Sequence, residues 1–369
     1  MAFPRPWHAP AEALLLPAGA LVAALVLFGG FVWCGGHSPV QAWLLLFQGA
    51  FGDAFSWQNS LQRAAPLMLT ALAVALPARA GLTVIGGEGA LVLGALGCAG
   101  LPYWWPGLSG TGGSVAVLAA GALLGAGWIA LAGALRQWRG VNETISSLLL
   151  GYIAIALFKH WVEGSLRDPS SLNKPSTRPL VESLRIGPIF ANGDSLLGDV
   201  HWGLVIGLVL CVAAGLWLSF TASGFALRVV GGNARTARLV GLPTDRLVLL
   251  ACALGGACSG LAGAVEVAAV HQAANASVIV GLGYTGILVS FVARHNPWAI
   301  PPVALLFGGF AAAGSLLQRR MGLPDASVLV LQGFAFVFIL AAEALRGRLF
   351  QWPLPHLTRW RPVPRELAA

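Results

Sequence analysis

The chain has 369 residues, 57% of them hydrophobic and 10% charged, with a mean hydropathy of +0.77. This composition excludes a soluble globular domain and indicates an all-α, polytopic helical membrane protein. The net charge of +8 does not mark a nucleic-acid partner, because the arginines sit in short loops between apolar runs, where they set topology.

The first apolar run, 13–33, is long enough to span and is read as a retained first helix, not a cleaved signal. Further spans are expected near 61–77, 84–101, 114–135, 144–162, 202–220, 247–270, 278–293, 299–317 and 327–345. The total is about ten transmembrane helices in one domain covering 1–369. The run 42–55 carries Gln48 and Asp53 and is too short to cross comfortably, so it reads as an interfacial or re-entrant helix.

With the N-terminus inside, the inner loops collect Arg5, Arg79, Arg136, Arg139, Arg228, Arg235, Arg238, Arg246, Arg294 and the arginines of the tail 346–369. The outer loops 102–113 and 271–277 carry no formal charge, as the positive-inside rule requires. Arg319 and Arg320 are the misfits, falling outside, and raise the question of a misdrawn neighbouring span. The outer segment 163–201 is rich in Pro, Ser, Asn and Gly. Docking of an external partner and a plain solvated linker both remain open for it.

The only lysines are Lys159 and Lys174, and neither follows a glycine, so no phosphate-binding GxxxxGK[ST] loop exists. The seven histidines are dispersed, and His271 and His295 read as interfacial residues. The five cysteines are scattered without CxxC spacing and read as packing residues. No catalytic constellation is visible.

Two glycine-interrupted stretches lie in opposite halves of the chain. One holds Gly81, Gly86, Gly87, Glu88 and Gly89; the other holds Gly281, Gly283, Tyr284, Thr285 and Gly286. Paired interruptions at membrane depth point to a solute path, while close helix packing around glycine is the alternative for each alone. Asn142 reads as a helix cap with Glu143 in the first turn, or else as a solute contact. Glu266 and Glu343, near span ends, are expected to reach headgroups.

The polar turn 224–246 specifies a short inner helix. Asn233 suits its N-cap, Gly241 its left-handed end, and Pro243 prevents continuation. The pair Gly231 and Gly232 is expected to form a flexible corner before it. In the next span Gly256, Ser259, Gly260 and Gly263 have small-xxx-small spacing.

Arg235-Thr236-Ala237 followed by Gly241 resembles the coupling loop of ABC-transporter permeases. The stretches 66–76, 83–90, 141–146, 151–154 and 283–288, with Asn296-Pro297, resemble in order the motifs of the nucleoside and simple-sugar importer branch, part of the branched-chain amino acid/ribose-type superfamily. The likeness covers about 61–345. It implies a permease subunit in the bacterial inner membrane, forming the path for a nucleoside or nucleobase-like solute, with a simple sugar as the alternative. It further implies cytosolic ATPase subunits that hydrolyse ATP, a second permease subunit and an extracytoplasmic solute-binding protein. The chain itself would be no enzyme and bind no cofactor or metal.

By the same resemblance, Asn233, Arg235, Thr236, Ala237, Arg238 and Gly241 would couple to the ATPase, rocking 248–266. Gly86, Gly87, Glu88, Gly89, Asn142, Glu143, Tyr284 and Thr285 would line the path. Val84, Ala90 and Gly151 replace amides of the family pattern. Either the solute is less polar than a nucleoside, or the amides only bonded between helices. A proton- or sodium-coupled carrier is the rival, with Glu88 as its mid-span carboxylate.

Overall fold

The computed structural model describes residues 9–171, 173–189 and 198–345; the expected inner tail and Arg5 lie outside them. The regular structure of the described residues is helical throughout, with only isolated bridges between extended residues. α1 (Ala9–Cys34) crosses first, and the chain turns back as α2 (Pro39–Phe51). The Trp43 indole N–H donates to Leu25 O at 3.1 Å, tying α2 to α1. α3 (Ala54–Arg79) follows. Asp53, expected inside the short helix, instead caps α3: its carboxylate accepts from Ser56 N at 2.6 Å, which ends α2 two residues earlier.

α4 (Gly87–Trp104), α5 (Gly110–Arg139), α6 (Glu143–Glu163) and α7 (Gly203–Phe220) come next. Two short helices, α8 (Ala222–Gly232) and α9 (Ala234–Leu239), precede α10 (Thr244–Val265), whose end widens into a π-helix at Glu266–His271. α11 (Leu282–Val292), α12 (Ile300–Met321) and α13 (Ala326–Leu345) complete the described chain.

Eight helices of the described residues are long and apolar enough to cross a membrane, against the ten spans drawn from sequence. The other two, α4 and α11, begin part-way along their expected spans. α4 is preceded by a non-helical stretch, 82–85, that opens at Gly81 (φ +78°), and α11 starts only after Gly281, whose left-handed backbone (φ +82°) forms its N-cap. α11 is only about 16 Å long.

α10 is the centre of the bundle, packed by α3, α4 and α5. A Cβ on Gly260 would overlap the Gly121 carbonyl of α5, and one on Gly263 the Leu91 carbonyl of α4. Backbone therefore meets backbone along two seams, as the small-residue spacing led us to expect. Cys98, Cys211, Cys252 and Cys258 fill the interior as expected, whereas Cys34 is exposed.

The outer segment is no plain linker where it is described. Thr177 N donates to Ala274 O at 2.9 Å, Leu180 N to Gln272 O at 2.7 Å and Ile186 N to Ala268 O at 3.0 Å, and Leu180 and Leu184 are buried. The segment thus covers the π-helix and the adjoining ends of α4 and α5. Glu266 is also buried, not in headgroups, and lies 3.5 Å from His271 Nε2. Glu343 lies 4.0 Å from Arg294.

The two ends of the bundle are distinct. Arg79 donates from Nε to His295 O at 2.9 Å on the side of α8 and α9. Gln62 donates to Asp199 O at 2.6 Å on the other. α12 and α13 run as drawn from the sequence, so Arg319 and Arg320 do not betray a misplaced span. Arg319 and Arg320 lie at the end of α12 away from α8 and α9.

Candidate functional site

The two interrupted stretches meet. Glu88 is 1% exposed, and its Oε1 accepts from Gly281 N at 2.9 Å while Oε2 accepts from Gly283 N at 2.6 Å. These amides belong to the start of α11, whose first N–H groups have no partner inside the helix. A carboxylate there satisfies them and complements the positive end of the helix dipole. Gly283 must be glycine, because a Cβ would strike the backbone N of Glu88.

The other residues singled out around this junction are mostly occupied in holding it. Gly87 O accepts from Ser259 Oγ at 2.6 Å, which binds α4 to α10. Gly86 packs on the Ser147 carbonyl and Gly89 on Gly151, so both face α6. Ile85 N donates to Ser147 Oγ at 3.1 Å, and Thr144 Oγ1 donates to Thr83 O at 2.9 Å. Asn142 is a helix cap, accepting from Thr144 N at 2.9 Å and Ile145 N at 3.2 Å. Glu143 pairs with Arg136 at 3.3 Å. Thr285 Oγ1 lies 3.2 Å from both Gly281 O and Gln332 Oε1. Tyr284 is 40% exposed, and Asn142 is exposed as well.

Val84 and Ala90 are buried in the core, and Gly151 lies against Gly89.

The polar turn 224–246 forms as its local chemistry requires. Asn233 Oδ1 accepts from Arg235 N at 3.0 Å and Thr236 N at 3.1 Å, and Gly241 takes φ +81°. Ala237 is buried beneath α9 while Arg235 and Thr236 are exposed. Arg238 is held, its Nε donating to Thr244 Oγ1 at 3.0 Å and its Nη2 to Asp245 Oδ1 at 3.3 Å. The most open apolar groups here are Leu239, 87% exposed, and Val240, 67% exposed. Their signal in the sequence is two branched aliphatic residues in an otherwise polar, arginine-rich turn.

The glycine pair is not a flexible corner. Both glycines lie in α8, and the bend falls at Asn233. Gly231 is small because α8 meets the end of α3 there: a Cβ would overlap Arg79 O and sit 3.1 Å from Gly81 N. Gly81 opens the extended stretch that leads to Glu88. Close by, burial first and the Arg79 charge second push the His295 pKa down to about 4. The neutral ring lies 2.9 Å from Ser290 Oγ through Nδ1.

A family model described as the branched-chain amino acid transport system / permease component matches residues 56–340. The chain belongs to this permease family. It is 31% identical over 336 residues to the glucose ABC transporter permease protein TsgB13 of Haloferax volcanii, covering 89% of this chain and 87% of that one. It is 25% identical to the guanosine ABC transporter permease protein NupP of Bacillus subtilis, covering 90% and 94%. It is 27% identical to the probable riboflavin import permease protein RfuC of Treponema pallidum, covering 94% and 86%. The permease is thus a multi-pass membrane subunit of the ABC-transporter class, as its motifs implied.

Proposed function

We propose that this permease forms the translocation path of an ATP-driven importer for a nucleoside-class solute. The observation that carries the mechanism is the backbone contact of Gly231 in α8 with Arg79 and Gly81. An ATPase subunit engaging Leu239 and Val240 at the end of α9 would displace α8, and that contact would pass the displacement to 81–88 and, through the Glu88 carboxylate, to α11. The route differs from the expected rocking of α10 alone. It reaches α10 directly through the Arg238 bonds to Thr244 and Asp245, and again at the Ser259 bond to Gly87.

ATP is hydrolysed by the partner subunits, and this chain binds neither nucleotide nor cofactor. A second permease subunit completes the pore, and an extracytoplasmic binding protein delivers the solute to the outer segment. A proton-coupled carrier is disfavoured because Glu88 is committed at both oxygens. The lost amides are read as bonds within the protein and not as solute contacts, because Val84 and Ala90 are buried and Gly151 lies against Gly89. The guanosine relative supports the nucleoside reading, and the glucose relative supports a sugar as the second.

The test is uptake of labelled guanosine, adenine, ribose and glucose by cells with and without this chain, with a protonophore arm at maintained ATP. Loss of guanosine uptake that resists the protonophore is the expected result. Loss of sugar uptake alone transfers the solute, and collapse with the proton gradient overturns the mechanism. Leu239→Asp and Arg238→Glu should each leave the permease in the membrane but separate ATP hydrolysis from uptake.

A further inference from the structure

The two arginines that defy the charge rule lie in a cavity. Arg319 and Arg320, in the last turn of α12, border a space of about 520 Å³ between that helix, α2 and the start of α3. Gln48, Ser56, Asn59 and Ser315 supply its other neutral polar groups. Its carboxylate, Asp53, is engaged by Ser56 N at 2.6 Å. None of the ion pairs found among the described residues includes either arginine. Insertion disfavours arginine on the outer side, and two guanidiniums with one committed carboxylate leave a net positive pocket.

The surroundings are those of a membrane boundary. Phe55 lines the cavity and is exposed, and α2 turns Leu44 and Phe47 outward. A cationic pocket beside exposed apolar side chains matches a ligand with an anionic head and hydrocarbon tails. Guanidinium forks suit phosphate oxygens. A second protein would need no such apolar flank next to its acidic contact.

We propose that this cavity binds the phosphate headgroup of an anionic phospholipid in the outer leaflet, with its acyl chains along the Leu44 and Phe47 face of α2. The phosphodiester oxygens accept from Arg319 and Arg320, and the neighbouring amides and hydroxyls bond the remainder of the headgroup.

The experiment is native mass spectrometry of the whole transporter, titrated with phosphatidylglycerol, phosphatidylcholine or inorganic phosphate. The wild type should retain phosphatidylglycerol at concentrations where phosphatidylcholine does not stay bound. In Arg319→Gln/Arg320→Gln that affinity should fall about tenfold or more. Asn59→Leu/Ser315→Leu, which fills the cavity without altering charge, should lower it too and covers the case in which the arginine variant misfolds. Equal retention of the two lipids, or no effect of either variant, overturns the proposal. Strong binding of inorganic phosphate that excludes the lipid makes this a soluble-anion site and also overturns it. So does an equal loss of binding-protein-driven uptake by the arginine variant in phosphatidylcholine and phosphatidylglycerol vesicles, which would assign the arginines to a protein contact.

Discussion

Replacing Glu88 by glutamine separates a structural clamp from a solute contact. The side chain keeps its length, but one of its two acceptors becomes an NH₂ group. Of the bonds to Gly281 N at 2.9 Å and Gly283 N at 2.6 Å, only one can then be made, and the other amide faces a donor. Loss of one charge-assisted bond costs about 1.5–3 kcal/mol, and the buried N–H left without an acceptor costs about 1–3 kcal/mol. These are two measures of the same broken bond, so the variant should be destabilised by roughly 2 to 3 kcal/mol, concentrated at the start of α11. The assay is paired: thermal unfolding of the purified transporter in detergent, and concentration-dependent uptake in proteoliposomes. A clamp predicts a lower Tm and a lower maximal rate, with little change in the half-saturating solute concentration. An unchanged Tm with a raised half-saturation would refute the clamp and return Glu88 to the solute.

The remaining expectations are independent of that site. Gly260→Val should fail to give folded protein, as judged by size-exclusion chromatography, because its side chain must displace the Gly121 carbonyl and the Gly125 backbone. Cys34 is the exposed thiol, so a membrane-impermeant maleimide added outside intact cells should label it and Cys34→Ser should abolish the signal. Labelling only after lysis would reverse the orientation. Burial pushes His201, like His295, down to about 4 from an ordinary 6.5. As pH falls below 6.5 the unfolded chain takes up these protons and the folded one does not, so stability should decline from there toward pH 4 by about 1.4 kcal/mol per unit for each histidine. His201→Phe should flatten that decline in a thermal-unfolding series across pH.

Much of this was legible because the signals are local. Asn233, Gly241 and Pro243 specify α9 by capping chemistry alone, and the spacing of Gly256, Gly260 and Gly263 declares a close helix seam without saying with which helix. What failed depended on distant partners. The Gly231–Gly232 pair has the composition of a hinge, yet it is helical because α3 approaches it, and nothing near it in sequence shows Arg79 or Gly81. Glu88 looked like a path carboxylate because its isolation in an apolar stretch was visible and its two amide donors, more than 190 positions later, were not. Asp53 was misassigned by one structural element, since an acidic residue between two apolar runs fits the end of the first as well as the cap of the second. The exposed Leu239 and Val240 were overlooked because charge dominates the reading of an inner loop.

The central place of α10 also constrains how the molecule is made. Its seats on α3, α4 and α5 are formed by segments that leave the ribosome before residue 244, and although α4 and α5 meet each other at Gly94 and Gly121, the backbone they offer to Gly260 and Gly263 stays uncovered until α10 arrives. The slot must stay open to a helix synthesised about a hundred residues after α5 ends, so the bundle cannot be completed in the order of translation. Chains interrupted between 140 and 244 would carry bare backbone seams into the bilayer, a form that membrane quality control can distinguish from the finished permease.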